Sequence, residues 1–274
     1  MKRWIAGWLA AMLLFGLSAC SMKINTQEPS TEPSTADPDA YPRVTVTASE
    51  ARESLTDDEG KTVITVESRI PKLTSGLEEG KLNMFNYQFE SMLAEMRDRA
   101  VQNTANAAAD LKRSGSDTPW LYKMDYTVTY ADAGFLGILL IEQFSTLGNP
   151  EADPVYHTKM LDLLTGSVCP IGFFAYDNAD AALTRANIEA MIADELRRSF
   201  RVNGAKVREE EILSIAAGYD EYTYWFMPDG TIVFPLDCSL VGETTAYLCR
   251  ISPITAEELF DTPLSCREAQ ADRE

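Results

Sequence analysis

The chain has one histidine, His157, in 274 residues. Zinc hydrolases, Ser-His-Asp triads and Cys-His pairs need several histidines, or one set beside a nucleophile. His157 lies instead between Tyr156 and Thr158, in an alternating stretch that reads as a strand. Cysteine is scarce too: five residues with no Cys-x-x-Cys spacing, which removes zinc-ribbon and thioredoxin patterns. Cations are few, 24 Lys and Arg against 42 Asp and Glu, for a net charge of −18. So acidic a body repels nucleic acid and anionic membrane surfaces. The apolar run from Trp4 to Leu17 is about 14 residues, short of the roughly 20 that span a bilayer. No cofactor is implied, no metal-ligand set emerges, and no residue is singled out as catalytic.

What is present begins at the start. Lys2 and Arg3 precede that apolar run, which ends in Leu17-Ser18-Ala19-Cys20. A charged segment, an apolar segment and small residues at the cut form a secretory signal. The last four residues match the lipobox of bacterial lipoproteins. That resemblance implies a signal peptide over 1–20, lipidation at Cys20, and anchoring at the extracytoplasmic face of a bacterial membrane. Losing Lys2 and Arg3 with the signal lowers the net charge by two, to −20. Residues 21–43 are rich in Ser, Thr, Pro, Glu and Asp. Such a segment buries too little apolar surface to fold and reads as a tether, with a coil reach of about 25 Å.

The remainder, 45% of the chain being hydrophobic, can bury a real core. Val44 and Val46 alternate with threonines as a short strand, and Lys61 to Ile70 alternates again. Phe89, Met92, Leu93, Met96, Ala100, Ala107 and Leu111 recur at helical spacing up to Ser114-Gly115. Leu121 to Tyr130 alternates, Gly134 marks a turn, and Phe135 to Phe144 is apolar enough to be a central strand. After Gly148-Asn149-Pro150, Val155 to Leu164 is a strand. Asn178 or Asp180 can cap a helix from Ala181 to Phe200. Tyr222 to Met227 and Thr231 to Leu236 flank Pro228-Asp229-Gly230 as a hairpin. Ala246 to Ile251 is a last strand. Thr255 with Glu258 reads as a capping box. Hairpins with one long helix in each half predict an α+β fold of two small modules. Each would be an antiparallel sheet packed by one long helix, at 44–148 and 149–261, with a polar tail at 262–274.

With Cys20 lipidated, Cys169, Cys238, Cys249 and Cys266 remain, an even number suited to two disulfides. Three pairings are possible. Placing Cys238 and Cys249 on or beside neighbouring strands favours Cys238–Cys249, leaving Cys169–Cys266.

Three stretches in order resemble one family. They are Ile70-Pro71-Lys72-Leu73 with Leu82-Asn83-Met84-Phe85-Asn86; Leu161-Asp162-Leu163-Leu164-Thr165-Gly166; and Tyr224-Trp225-Phe226 with Asp229-Gly230, Ile232-Val233-Phe234 and Glu257-Glu258-Leu259-Phe260. They are similar to the paired extracytoplasmic domains of RsiV-like, lysozyme-sensing anti-sigma factors, which also precede the catalytic domain of PdaC-type peptidoglycan deacetylases. The family's Gly-Gly-Ala-His type loop is replaced here by Thr146 to Asp153. The resemblance implies an envelope-facing recognition module, with a basic protein such as lysozyme, or cell-wall material, as partner.

Among the acids, Glu209-Glu210-Glu211 beside Arg208 reads as a solvated face, and Asp229 as a turn residue. Glu142 and Asp162 lie on or beside strands and offer a carboxylate pair for an alternative reading, an envelope hydrolase acting on peptidoglycan or polysaccharide. Trp120, Tyr122, Tyr222, Tyr224 and Trp225 could line a sugar- or peptide-binding face, although core packing is the commoner use of such residues.

Overall fold

The computed structural model describes residues 41–150, 153–175, 181–202, 207–239, 247–256 and 260. The signal segment with Cys20, the tether to residue 40, the cap candidates Asn178 and Asp180, Glu258 of the expected capping box, Cys266 and the tail lie outside them.

The fold is α+β, with two sheets, each packed by helices. Strands β1 (Thr45–Thr56) and β2 (Thr62–Ser75) form a long hairpin. The short strand expected around Val44 and Val46 therefore runs for 12 residues. Helix α1 (Glu79–Gln102) follows, then α2 (Thr104–Ser114). The sequence pattern reads as one helix, and Asn103 interrupts it. Its backbone N–H is shared between the Arg99 and Ala100 carbonyls, and its side chain donates back to Arg99 O at 3.0 Å. Asn competes with the helix ladder in just this way. Gly115 closes α2 at φ 67°, where a Cβ would be strained.

Strands β3 (Trp120–Asp132) and β4 (Phe135–Ser145) turn at Gly134, and β5 (Val155–Asp162) and β6 (Ser167–Val168) complete a six-stranded sheet in chain order. All neighbours are antiparallel except β2 and β3. The crossover through α1 and α2 carries the chain back to the starting end, which makes that pair parallel. Strand β4, expected to be central, is buried on both faces for most of its length. Strands β5 and β6, which open the second half of the chain, extend this first sheet.

A 3-10 turn at Ile171–Phe174 leads to α3 (Ala181–Val202) and α4 (Glu209–Ala217). Then come β7 (Trp225–Phe226), β8 (Ile232–Leu236), β9 (Tyr247–Ile251) and α5 (Pro253–Ala256). Strands β7, β8 and β9 form the second, antiparallel sheet. The hairpin forms as expected: Asp229 Oδ1 accepts the Thr231 N–H at 2.9 Å, and Gly230 takes φ 82°. Strand β7 is shorter than its alternation suggests, because Asp220 accepts from Tyr222 N–H and the Thr223 hydroxyl and holds 220–223 as a turn.

The β4 alternation divides the core. Leu136, Ile138 and Leu140 face α1, packing with Phe85, Phe89 and Met96. Leu139 faces the other way, against Trp225 and Val233 of the second sheet. Phe135 and Met160 join the cluster built on Ile188, Ile192 and Leu196 of α3.

Two side chains satisfy backbone groups where strands end. Asn86 of α1 donates to Leu73 O at 2.9 Å and accepts the Leu73 N–H at 2.8 Å. Its amide thus serves as a one-residue strand neighbour for the end of β2. Asp162 accepts the N–H groups of Leu164 and Thr165 and shapes the turn that ends at Gly166, φ 83°.

Candidate functional site

One polar cluster stands on the α1 side of the six-stranded sheet. Glu142 follows Leu140 and Ile138 in the β4 alternation, so it points toward α1. In the β4–β5 register Leu140 faces His157 and Glu142 faces Val155. His157 is therefore Glu142's diagonal neighbour on the same face, within side-chain reach. Arg99 arrives from the end of α1, on the edge of the stripe formed by Met96 and Ala100.

Arg99 Nη2 lies 2.5 and 2.7 Å from the two Glu142 oxygens, and His157 Nε2 lies 3.2 Å from Oε2. The Glu142 side chain is 9% exposed, against 46% for Arg99 and 33% for His157. A buried carboxylate is thus held by two cation-capable groups that both reach water. Burial pushes the Glu142 carboxyl up, and hydrogen bonds from His157 and Arg99 more than offset it, leaving it below the ordinary glutamate value. Beside them, Asn103 donates to the Tyr122 hydroxyl at 3.0 Å. Burial pushes that phenol up. Tyr122 and Trp120 pack on Phe144 at ring separations of 4.4 and 5.5 Å, and Trp120 Nε1 donates to Asp110.

The cluster fixes one negative charge and orients one imidazole. Among the described residues, Glu142 is the only hydrogen-bond partner of the His157 ring. No group of three or more His, Cys, Asp and Glu converges on a metal position among those residues.

The carboxylate pair weighed for hydrolysis does not form. Asp162 faces Phe135 while Glu142 faces Val155, seven residues along β4. That places them about 23 Å apart on opposite faces, well beyond the roughly 5–9.5 Å of glycosidase carboxylates. Asp162 is a turn residue. The aromatic residues separate as well. Tyr224 is buried and donates its hydroxyl to Cys169 O at 2.9 Å, Trp225 packs on Tyr156, and Tyr222 stays on the surface. Glu209 pairs with Arg197, while Glu211 accepts the Arg208 N–H at the start of α4. The acidic run is a helix N-terminus, where negative charge is favoured. Cys169, Cys238 and Cys249 are all buried, and no S–S bond joins them. Cys249 faces Phe234 across β8–β9, and burial pushes its thiol well up.

Arg99 and Asn103 escaped the sequence reading. Their signal was positional: both flank the apolar stripe at its three- and four-residue spacing, one turn apart.

No protein-family model matches the chain, and no curated protein does. Similar solved structures include two of the DUF3298 family. A DUF3298 family member from Bacteroides fragilis is 11% identical, with 84% of this chain and 98% of that one covered and a TM-score of 0.49. A DUF3298 family protein from Pseudomonas aeruginosa is also 11% identical, with 81% and 96% covered and a TM-score of 0.49.

Proposed function

We propose that this chain is an exported, lipid-anchored, non-catalytic binding module of the cell envelope, RsiV-like in kind. Its partner is a basic protein such as lysozyme, or cell-wall material. The observation that carries the reading is the disposition of charge. Cations are already few, and Arg69, Arg97, Arg99, Arg185, Arg197 and Arg208 are each engaged with acids of this same chain. The excess carboxylates are left to face outward, and a −20 body steers cationic partners toward itself. The wide separation of Glu142 from Asp162 weighs against the hydrolase. The lipobox supports lipidation at Cys20, and an oxidising envelope would favour a Cys238–Cys249 bridge.

Titration with lysozyme at two ionic strengths tests the partner. Binding at low salt that persists, weakened, near physiological salt is the expected result. No binding at low salt removes lysozyme as partner. Mass spectrometry of the mature N-terminus tests the anchor: an unmodified Cys20, or cleavage elsewhere, removes it.

A further inference from the structure

Strand β1 is the outermost strand of the six-stranded sheet and pairs on one side only, with β2. Among the described residues no strand takes its other edge. Its register with β2 is unbroken from Val46 to Leu55. It contains neither Lys nor Pro, two of the devices by which exposed edges are usually blunted. A long, regular, open edge is a template for another strand.

The charges on β1 choose the strand. Two copies joined edge to edge and antiparallel are related by a two-fold axis normal to the sheet. Opposed residues must share a face, so the axis passes through a residue position. With the axis at Glu50 or at Arg52, a like charge meets its own copy. With the axis at Ala51, Glu50 of each copy faces Arg52 of the other, and the overlap runs from Val46 to Thr56. The neighbouring strands continue the pattern. Arg52 lies opposite Glu67, which lies opposite Lys123, and Glu50 lies opposite Arg69, which pairs with Asp125 at 2.8 Å. Joined at Ala51, the row Lys123, Glu67, Arg52 meets the second copy's Glu50, Arg69 and Asp125 in strict alternation of sign. The present Arg52–Glu67 and Arg69–Glu50 contacts are long, 3.5 and 3.7 Å, with Arg52 and Glu50 side chains 73% and 71% exposed. Such wet pairs hold their members weakly, and both heads can reach across the edge.

We propose that β1 is a self-association edge, through which two copies of this chain pair antiparallel about Ala51 into one continuous sheet. Cross-strand pairs of opposite charge favour this register, and like-charge opposition disfavours its neighbours.

Cysteine linking in the full chain reads the register directly. Opposed Cα atoms lie about 4.5–5.5 Å apart, within disulfide reach, so Ala51→Cys is expected to give a linked dimer under mild oxidation. Ser54→Cys in the same background controls for the native cysteines, since its two copies would lie about 20 Å apart along the strands. Sedimentation analysis of the uncrosslinked chain should show a concentration-dependent dimer. Glu50→Arg should weaken it at least about tenfold, the scale of a 1.4 kcal/mol change, and adding Arg52→Glu should restore it in part, because the pair across the edge attracts again while both positions now oppose like charge, Arg69 and Glu67, on their own β2. A monomer at every concentration, A51C linking no faster than S54C, or no recovery in the double charge swap overturns the proposal.

Discussion

The Glu142 cluster makes an asymmetric prediction. Removing the carboxylate leaves Arg99 and His157, both of which reach water. Glu142→Gln should therefore cost only about 1 kcal/mol, the net worth of an ordinary hydrogen bond. Removing both partners leaves a nearly buried carboxylate with nothing to replace its lost water. Stripping the partners from a fully buried ion costs about 3–5 kcal/mol. Glu142 keeps 9% exposure, so the lower end, about 3 kcal/mol, is expected for Arg99→Ala/His157→Ala at neutral pH. The two chains should also differ in sign with pH. In the native chain Glu142 sits below its ordinary value of 4.5. Its stabilising contribution is present above that value and lost as pH falls through the folded one. In the double variant only burial acts, which raises the carboxyl. Its penalty is then full above the raised value and relieved as pH falls below 4.5. Urea unfolding near pH 7 and near pH 4 should show the gap between the two chains shrinking with acid. A gap that does not change with pH, or a Glu142→Gln variant as costly as the double one, would refute this account of the cluster.

Asn86→Ala should cost about 2–6 kcal/mol in urea unfolding, because two backbone groups of the buried Leu73 lose their partner at about 1–3 kcal/mol each when left unsatisfied. Asn86→Asp keeps the acceptor for the Leu73 N–H and should cost less. Gly137→Ala would place a Cβ 2.7 Å from Thr129 Oγ1, so a loss of about 1–3 kcal/mol in unfolding free energy is expected. Thr129→Ala should rescue part of it, since that hydroxyl is buried without a partner. The reduced Cys249 thiol, buried and raised, should react with iodoacetamide only at the rate of global unfolding; rapid labelling of the native chain would contradict its placement.

The element types were largely legible because the apolar periods are clean. The β4 run, the Gly115 stop and the Asp229-Gly230 turn each carry their own local signal. Three features were not. The outer strand β1 was underread because Ser49 to Ser54 is polar on both faces and shows no alternation; an edge strand with few buried residues needs none. The break at Asn103 has no Pro or Gly to announce it, and the same side-chain amide also donates to the hydroxyl of Tyr122, nineteen residues later. The parallel β2–β3 pair follows from where α1 and α2 deliver the chain. At the cluster, Glu142 and His157 were each visible as strand residues. Their pairing depended on the β4–β5 register, and Arg99 completes it from a helix whose own pattern records only its apolar face.

Strand β4 has a consequence for synthesis. When the chain has emerged as far as Gly148, β1 to β4 can already assemble under α1. The β4 edge that will receive Val155–Asp162 is still bare, and Leu139 still awaits Trp225 and Val233, some ninety positions further on. The early half is thus held open, sticky along one edge and greasy on one face, until the late half is delivered. A ribosome pause, a premature stop or a protease cut between the halves releases a fragment primed to add strands from its neighbours.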